Sequence, residues 1–295
     1  DKQIELIYSD ADALTAEEIK TANVIIGPAD TALLPLAGRL EWMQLSWAGA
    51  DNYLQRGVLR DDTILTNASG AYGLAVSEHM LAFTLALVRR FGQYAKRQQE
   101  HDWRSMGNII SIEGAKVLVL GLGDIGGRYA QKMKALGAYV IGLRRSSASK
   151  PSCLDEMYTI DHLDEQLPRA DIVAMALPGG QATAHMIDEK RLSIMKQGAF
   201  LVNCGRGNAI DPTALKKALY EGRLGGAALD VTEPEPLPEE DPLWDDERVI
   251  ITPHVSGQFH LRETYERVVR ICGENLYRYA RDLPLEHIVD RNSGY

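Results

Sequence analysis

One arginine, two acids and one histidine stand where this 295-residue chain could do chemistry. Arg206 follows the apolar run 199–203, after Cys204 and Gly205. Asp230 closes the run 227–230, and Glu235 lies just beyond it in an acidic, proline-rich loop. His254 follows the run 249–251, after Thr252 and Pro253. A side chain just past the carboxyl end of a strand faces the crevice where ligands sit in a doubly wound sheet. Arg206 is there a cation aimed at an anion. Taken singly, each group has an ordinary reading. Arg206 could form a surface ion pair, Glu235 could be a solvated loop acid, and His254 could be a satisfied structural histidine. Cys204 has no base motif beside it and reads as a small packing residue.

The context that raises the set above its parts is a glycine turn. The buried-strand pattern 117–120 runs directly into Gly121, Leu122, Gly123, Asp124, Ile125 and Gly126, and a helical pattern follows. Strand, glycines and helix in that order are a specific dinucleotide signature. Gly121 permits the tight turn, Gly123 lets backbone approach a pyrophosphate, and Gly126 lets the helix pack on the strand. The helix start, with Asp124 and Ile125, offers N–H groups and partial positive charge to phosphate. At the end of the next strand, 139–143, an NAD site would carry an acid for the ribose 2′-hydroxyl. Arg144, Arg145 and Ser146 stand there instead. Two guanidinium groups suit a 2′-phosphate, so NADP is the expected cofactor, with NAD less preferred.

These residues need an α/β framework. Runs at 4–8, 24–26 and 42–45 read as strands. Residues 15–22 read as a helix with a capping box from Thr15 to Glu18. A long helical pattern covers 78–98, and βα alternation continues to about 251. A helix at 262–281 and a short tail at 283–295 close the chain. A helix after the last strand can cross back to the first domain. The expected fold is therefore two doubly wound parallel-sheet domains. A flavodoxin-like substrate domain, 1–71 plus 259–295, is interrupted by a Rossmann dinucleotide domain, 72–258. The mostly apolar helix at 78–98 suggests a homodimer. Net charge is −9, so no global basic field invites nucleic acid or an anionic membrane. Three widely spaced cysteines suggest reduced thiols and no metal site, hence a cytoplasmic protein. No membrane span or signal peptide is expected.

The chain resembles the D-2-hydroxyacid dehydrogenase family, which includes glyoxylate/hydroxypyruvate reductases. The resemblance rests on residues 121–126, Leu177-Pro178 with Thr183, 203–207, 227–231 with 235–238, and 252–257. It implies an NADP(H)-dependent oxidoreductase that interconverts small 2-oxo acids and D-2-hydroxy acids by hydride transfer. Arg206 would bind the substrate carboxylate and polarise the carbonyl. His254 would be the general acid and base, and Glu235 would hold its imidazole and favour the charged form. Asp230 would meet the nicotinamide carboxamide. Leu177, Pro178, Thr183, Cys204, Gly205, Ser256 and Gly257 would line the cofactor. Trp47, Ala48, Gly49 and Tyr72 would serve the substrate, the Ala48-Gly49 backbone through its carboxylate. Gly179-Gly180 departs from the family where many members carry Thr after Leu-Pro. A second function class is a nucleotide-sensing scaffold or corepressor on the same fold; the intact Arg206, Glu235 and His254 favour the enzyme.

Overall fold

The computed structural model describes residues 2–10, 14–146 and 149–291. Thr15 opens the first helix, α1 (Ala16–Thr21), in the way its pattern predicts. The Thr15 hydroxyl accepts the Glu18 N–H, and the Glu18 carboxylate accepts the Thr15 N–H at 2.8 Å. Two end donors are thus satisfied reciprocally. Strands β1 (Val24–Ile26), β2 (Trp42–Gln44) and β3 (Ile64–Thr66) follow. Among the described residues they form a parallel sheet in the order β1-β2-β3. Ile19, Leu34, Met43 and Leu65 fill its core.

The strand expected at 4–8 is not formed. The segment has the right apolar content, but Ile4, Leu6, Ile7 and Tyr8 are all exposed, up to 89% for Tyr8. A strand needs a neighbour to satisfy its backbone groups, and no strand pairs with this segment among the described residues.

The chain divides into two compact units, Asp1–Tyr72 with Phe259–Tyr295, and Gly73–Gln258. Tyr72 falls in the first unit, one residue from the boundary read from the sequence. The second unit begins with α2 (Gly73–Val88). Val76, Met80, Phe83, Thr84 and Leu87 recur at helical spacing and are buried. The single helix expected over 78–98 is two helices, because Arg90 adopts a left-handed conformation (φ 60°) and ends the run. The second piece is α3 (Phe91–Gln99).

Next come β4 (Lys116–Leu120), α4 (Asp124–Ala135), β5 (Tyr139–Arg144), β6 (Glu156–Thr159), α5 (Leu163–Gln166) and β7 (Ile172–Met175). They are followed by α6 (Glu189–Ile194), β8 (Ala199–Asn203), α7 (Pro212–Tyr220), β9 (Leu224–Leu229) and β10 (Val249–Ile251). Among the described residues these strands form one parallel sheet in the order β10-β9-β8-β7-β4-β5-β6. Its centre is almost wholly apolar, as a sheet covered on both faces requires: the four residues of β7 are all fully buried. The order reverses beside β4, and ligands bind at such a switch point, outside the carboxyl ends of the strands.

Helix α8 (Arg262–Ala280) returns to the first unit. Beyond it, Val289 donates to the Leu65 carbonyl at 2.8 Å, and Ile288 bridges antiparallel to Thr66. Residues 292–295 of the expected tail lie outside the described residues. No helix of the described residues is long and apolar enough to cross a membrane.

Candidate active site

The glycine turn joins β4 to α4 with the geometry its three glycines demand. Gly121 has φ 89°, in the left-handed region. A Cβ on Gly126 would lie 1.9 Å from the Gly121 carbonyl oxygen, so only hydrogen fits where the helix meets the turn. Gly123 is the opposite case. A Cβ there would meet nothing within 4 Å, so this stretch of backbone lines open space. That is the cradle a pyrophosphate would fill, at the start of a helix whose first N–H groups need acceptors. The residues present therefore fit a dinucleotide. Asp124 pairs with Arg128 at 2.6 Å, and Asp124 Oδ2 is buried without a hydrogen-bond partner.

The other expected cofactor positions lie at strand ends of the same sheet. Arg144 is the half-buried last residue of β5, and Arg145 and Ser146 follow, exposed. Leu177, just past β7, is buried; its Cδ2 would meet a Cβ on Gly121 at 3.4 Å. The Thr183 hydroxyl donates to the Pro178 carbonyl at 2.9 Å and closes the loop containing Gly179 and Gly180. Cys204 is buried, which pushes its thiol well above its ordinary pKa, with the Asp230 charge adding to the effect. It is a packing group and not an activated nucleophile.

Beyond β8, the fully buried Asn203 organises the loop that carries Arg206. Its amide donates to the Arg206 carbonyl at 2.9 Å, and its side-chain oxygen accepts the Gly205 N–H at 3.0 Å. The half-buried Arg206 guanidinium donates back to the Gly205 carbonyl at 2.9 Å. A Cβ on Gly207 would lie 1.9 Å from the Thr232 carbonyl oxygen, so this loop sits directly against the start of the Glu235 loop.

The Glu235 loop in turn reaches His254. His254 Nδ1 lies 2.5 Å from Glu235 Oε1, and both side chains are roughly half exposed. With Nδ1 donating to the carboxylate, the far nitrogen, Nε2, is left for a substrate. His254 itself has φ 52°, an uncommon conformation for a residue with a Cβ, which surrounding contacts must hold.

Those contacts come from Asp230, just past β9 and only 1% exposed. Its carbonyl accepts the His254 N–H at 2.8 Å. Oδ1 accepts the Thr252 hydroxyl at 2.5 Å and the Val255 N–H at 2.9 Å; Oδ2 accepts the Ser256 N–H at 3.1 Å. Burial alone would push this acid up, but the donors from Ser256, Thr252 and Val255 outweigh it and hold Asp230 below the usual carboxylate range. Ser256 is buried and Gly257 half-buried beside it. Thr252 and Asn203 are structural participants that the sequence reading did not single out.

In the first unit, Trp47 is half-buried and packs on Tyr53 with ring centroids 6.2 Å apart. The Ala48 carbonyl accepts the Asn67 amide at 2.8 Å. Gly49 is half-buried. The Tyr72 hydroxyl donates to the Ser46 carbonyl at 2.5 Å, and burial pushes its pKa up to about 12. Tyr72 is 9% exposed, so it is largely a packing residue.

Comparison with known proteins bears on what this arrangement is. Residues 81–256 match the family described as D-isomer specific 2-hydroxyacid dehydrogenase, NAD binding domain. A glyoxylate reductase of Korarchaeum cryptofilum is 30% identical, over 90% of this chain and 82% of that protein. The crystal structure of a D-isomer specific 2-hydroxyacid dehydrogenase family protein from Aeromonas salmonicida superposes with a TM-score of 0.82. It is 35% identical and covers 94% of this chain and 87% of its own. An NADPH-dependent glyoxylate/hydroxypyruvate reductase from Sinorhizobium meliloti, solved with NADP and sulfate, superposes with a TM-score of 0.83. It is 27% identical, over 92% of this chain and 86% of that one. Strand order, glycine turn and sequence likeness agree: this chain belongs to the D-isomer specific 2-hydroxyacid dehydrogenase family, as an NAD(P)-dependent oxidoreductase.

Proposed function

We propose that the protein reduces small 2-oxo acids to D-2-hydroxy acids with NADPH, and that Arg206, Glu235 and His254 carry the chemistry. The observation behind this reading is the 2.5 Å contact of His254 with Glu235 at the end of β10. It lies on the same strand-end edge as the Arg206 loop and the glycine turn. A nicotinamide dinucleotide held by the glycine turn would supply the hydride for the keto carbon. His254 gives the keto oxygen its proton from Nε2, while Glu235 holds the ring by Nδ1 and stabilises its charge. Arg206 receives the substrate carboxylate and offsets the negative charge that develops on the keto oxygen. Asp230 keeps the His254 turn in place.

For the cofactor, the pair Arg144 and Arg145 with Ser146 at the end of β5 supports NADP, because no acid at that strand end is available to a ribose 2′-hydroxyl. We also propose a homodimer. Leu85 on helix α2 is exposed, as are Phe91, Trp103 and Ile109 beyond it, and these apolar groups favour association. Sedimentation should give twice the monomer mass.

The test of the activity is consumption of NADPH with glyoxylate, hydroxypyruvate, pyruvate and phenylpyruvate in turn. Turnover with at least one is the expected result. NADPH binding without turnover of any 2-oxo acid would favour a nucleotide-sensing scaffold instead.

A further inference from the structure

Helix α2 carries a histidine that no part of the proposed reaction uses. His79 Nε2 lies 3.0 Å from the Thr252 hydroxyl oxygen. That hydroxyl donates to Asp230 Oδ1 at 2.5 Å, and His79 Nε2 is itself 3.9 Å from the same oxygen. The imidazole stands edge-on to the buried Phe83 ring, centroids 4.3 Å apart, which limits its rotation. All four residues belong to the second unit.

The direction of this chain of hydrogen bonds follows from counting protons. Thr252 has one hydroxyl hydrogen. The Asp230 carboxylate is held in its charged form by its ring of donors and can only accept, so it takes that hydrogen. The bond between Thr252 and His79 must then be made by a hydrogen on Nε2. His79 is therefore a donor into a relay that ends on Asp230, and Asp230 is the group that shapes the turn bearing His254.

We propose that His79 is a positioning residue: its Nε2–H fixes the Thr252 hydroxyl on Asp230 and so locks the 252–256 turn that holds His254 in its left-handed conformation. The inference rests on the reading of His254 as the proton donor. Without His79 the Thr252 hydroxyl keeps Asp230 as its acceptor but loses the donor on its other side. The side chain is then less restrained at the point where a left-handed residue depends on the turn. The larger consequence belongs in turnover, because the relay reaches the cofactor only at the nicotinamide end, through Asp230 and Ser256. Nucleotide phosphate and adenosine are assigned to the ends of β4 and β5, which the relay does not touch.

The experiment compares His79→Leu, which fills the space without a donor, with His79→Gln, whose Nε2 can donate from a similar position. His79→Leu should lower kcat about ten- to a hundredfold, the scale of a small misplacement of a reacting group. NADPH affinity, read by fluorescence titration, should fall far less than kcat. His79→Gln should recover most of the loss. Long-range ¹H–¹⁵N spectra of the protein without cofactor should show His79 protonated on Nε2. If His79→Leu does not fold, Thr252→Val and Thr252→Ser ask the same question, and only Val should be impaired. Equal turnover in His79→Leu and wild type, equal loss in Leu and Gln, or a neutral Nδ1–H ring would overturn the relay. Normal turnover in His254→Ala would instead overturn the reading it rests on, so the two failures are distinguishable.

Discussion

At the residue scale the proposed site divides into groups placed to meet ligands and groups that aim them. Arg144 is assigned to the first kind. Replacing it with Asp puts a carboxylate where a ribose 2′-hydroxyl would bind and a 2′-phosphate would be repelled. The ratio of kcat/KM for NADPH over NADH should fall by about tenfold or more. An unchanged ratio would remove Arg144 from cofactor selection. Cys204 makes the converse point: it sits beside Arg206 in sequence, but burial keeps its thiol protonated. Mass spectrometry after iodoacetamide treatment at mildly alkaline pH should find Cys204 unmodified in the folded protein and modified once it is unfolded. Arg206, Glu235 and His254 could be singled out in the sequence as candidates because each follows a strand run and their motifs are local. His79 was not legible. It lies within an apolar helical pattern, and its partner Thr252 is 173 positions away, a contact that only the fold creates.

At the element scale, local hydrogen-bond chemistry was readable and pairing was not. The Thr15–Glu18 cap was visible as two residue types at fixed spacing, and it forms. Thr15→Ala should destabilise the first unit by about 1 kcal/mol, measured by chemical denaturation. The β4 turn was readable for a similar reason, since its glycines answer to sterics within a few residues. Gly126→Val would drive a side chain into the Gly121 carbonyl. It should abolish NADPH binding, with a loss of secondary structure seen by circular dichroism if the turn cannot adjust. The segment 4–8 shows the limit of pattern reading. Its residues are fit for a strand, but fitness reports a capacity, and strand formation depends on a free neighbouring edge. Likewise nothing in the helix-compatible run through Arg89 and Arg90 announces a left-handed residue that splits it.

At the scale of the whole molecule, the two-unit α/β architecture followed from the alternation of strand and helix patterns and from the helix after the last strand. The seven-strand order did not, because periodicity marks strands without saying which lie side by side. Stability should depend on pH through acids held ionised by the fold. Glu156 accepts from Arg169, Tyr139 and Tyr158, and these donors lower its pKa to about 2 from 4.5. Asp230 is lowered as well. A depressed carboxylate stabilises the fold above its unfolded value, and that contribution is lost as pH falls toward its folded value. The denaturation midpoint should therefore drop between about pH 4.5 and 2, and Glu156→Gln should flatten part of the drop.

The most direct test of the whole account is single-turnover reduction of a 2-oxo acid substrate by wild type and His254→Ala, each preloaded with NADPH. The account predicts a fall of about 10²–10⁴ in the rate of hydride transfer with NADPH affinity nearly unchanged. A His254→Ala protein that transfers hydride at close to the wild-type rate would contradict it.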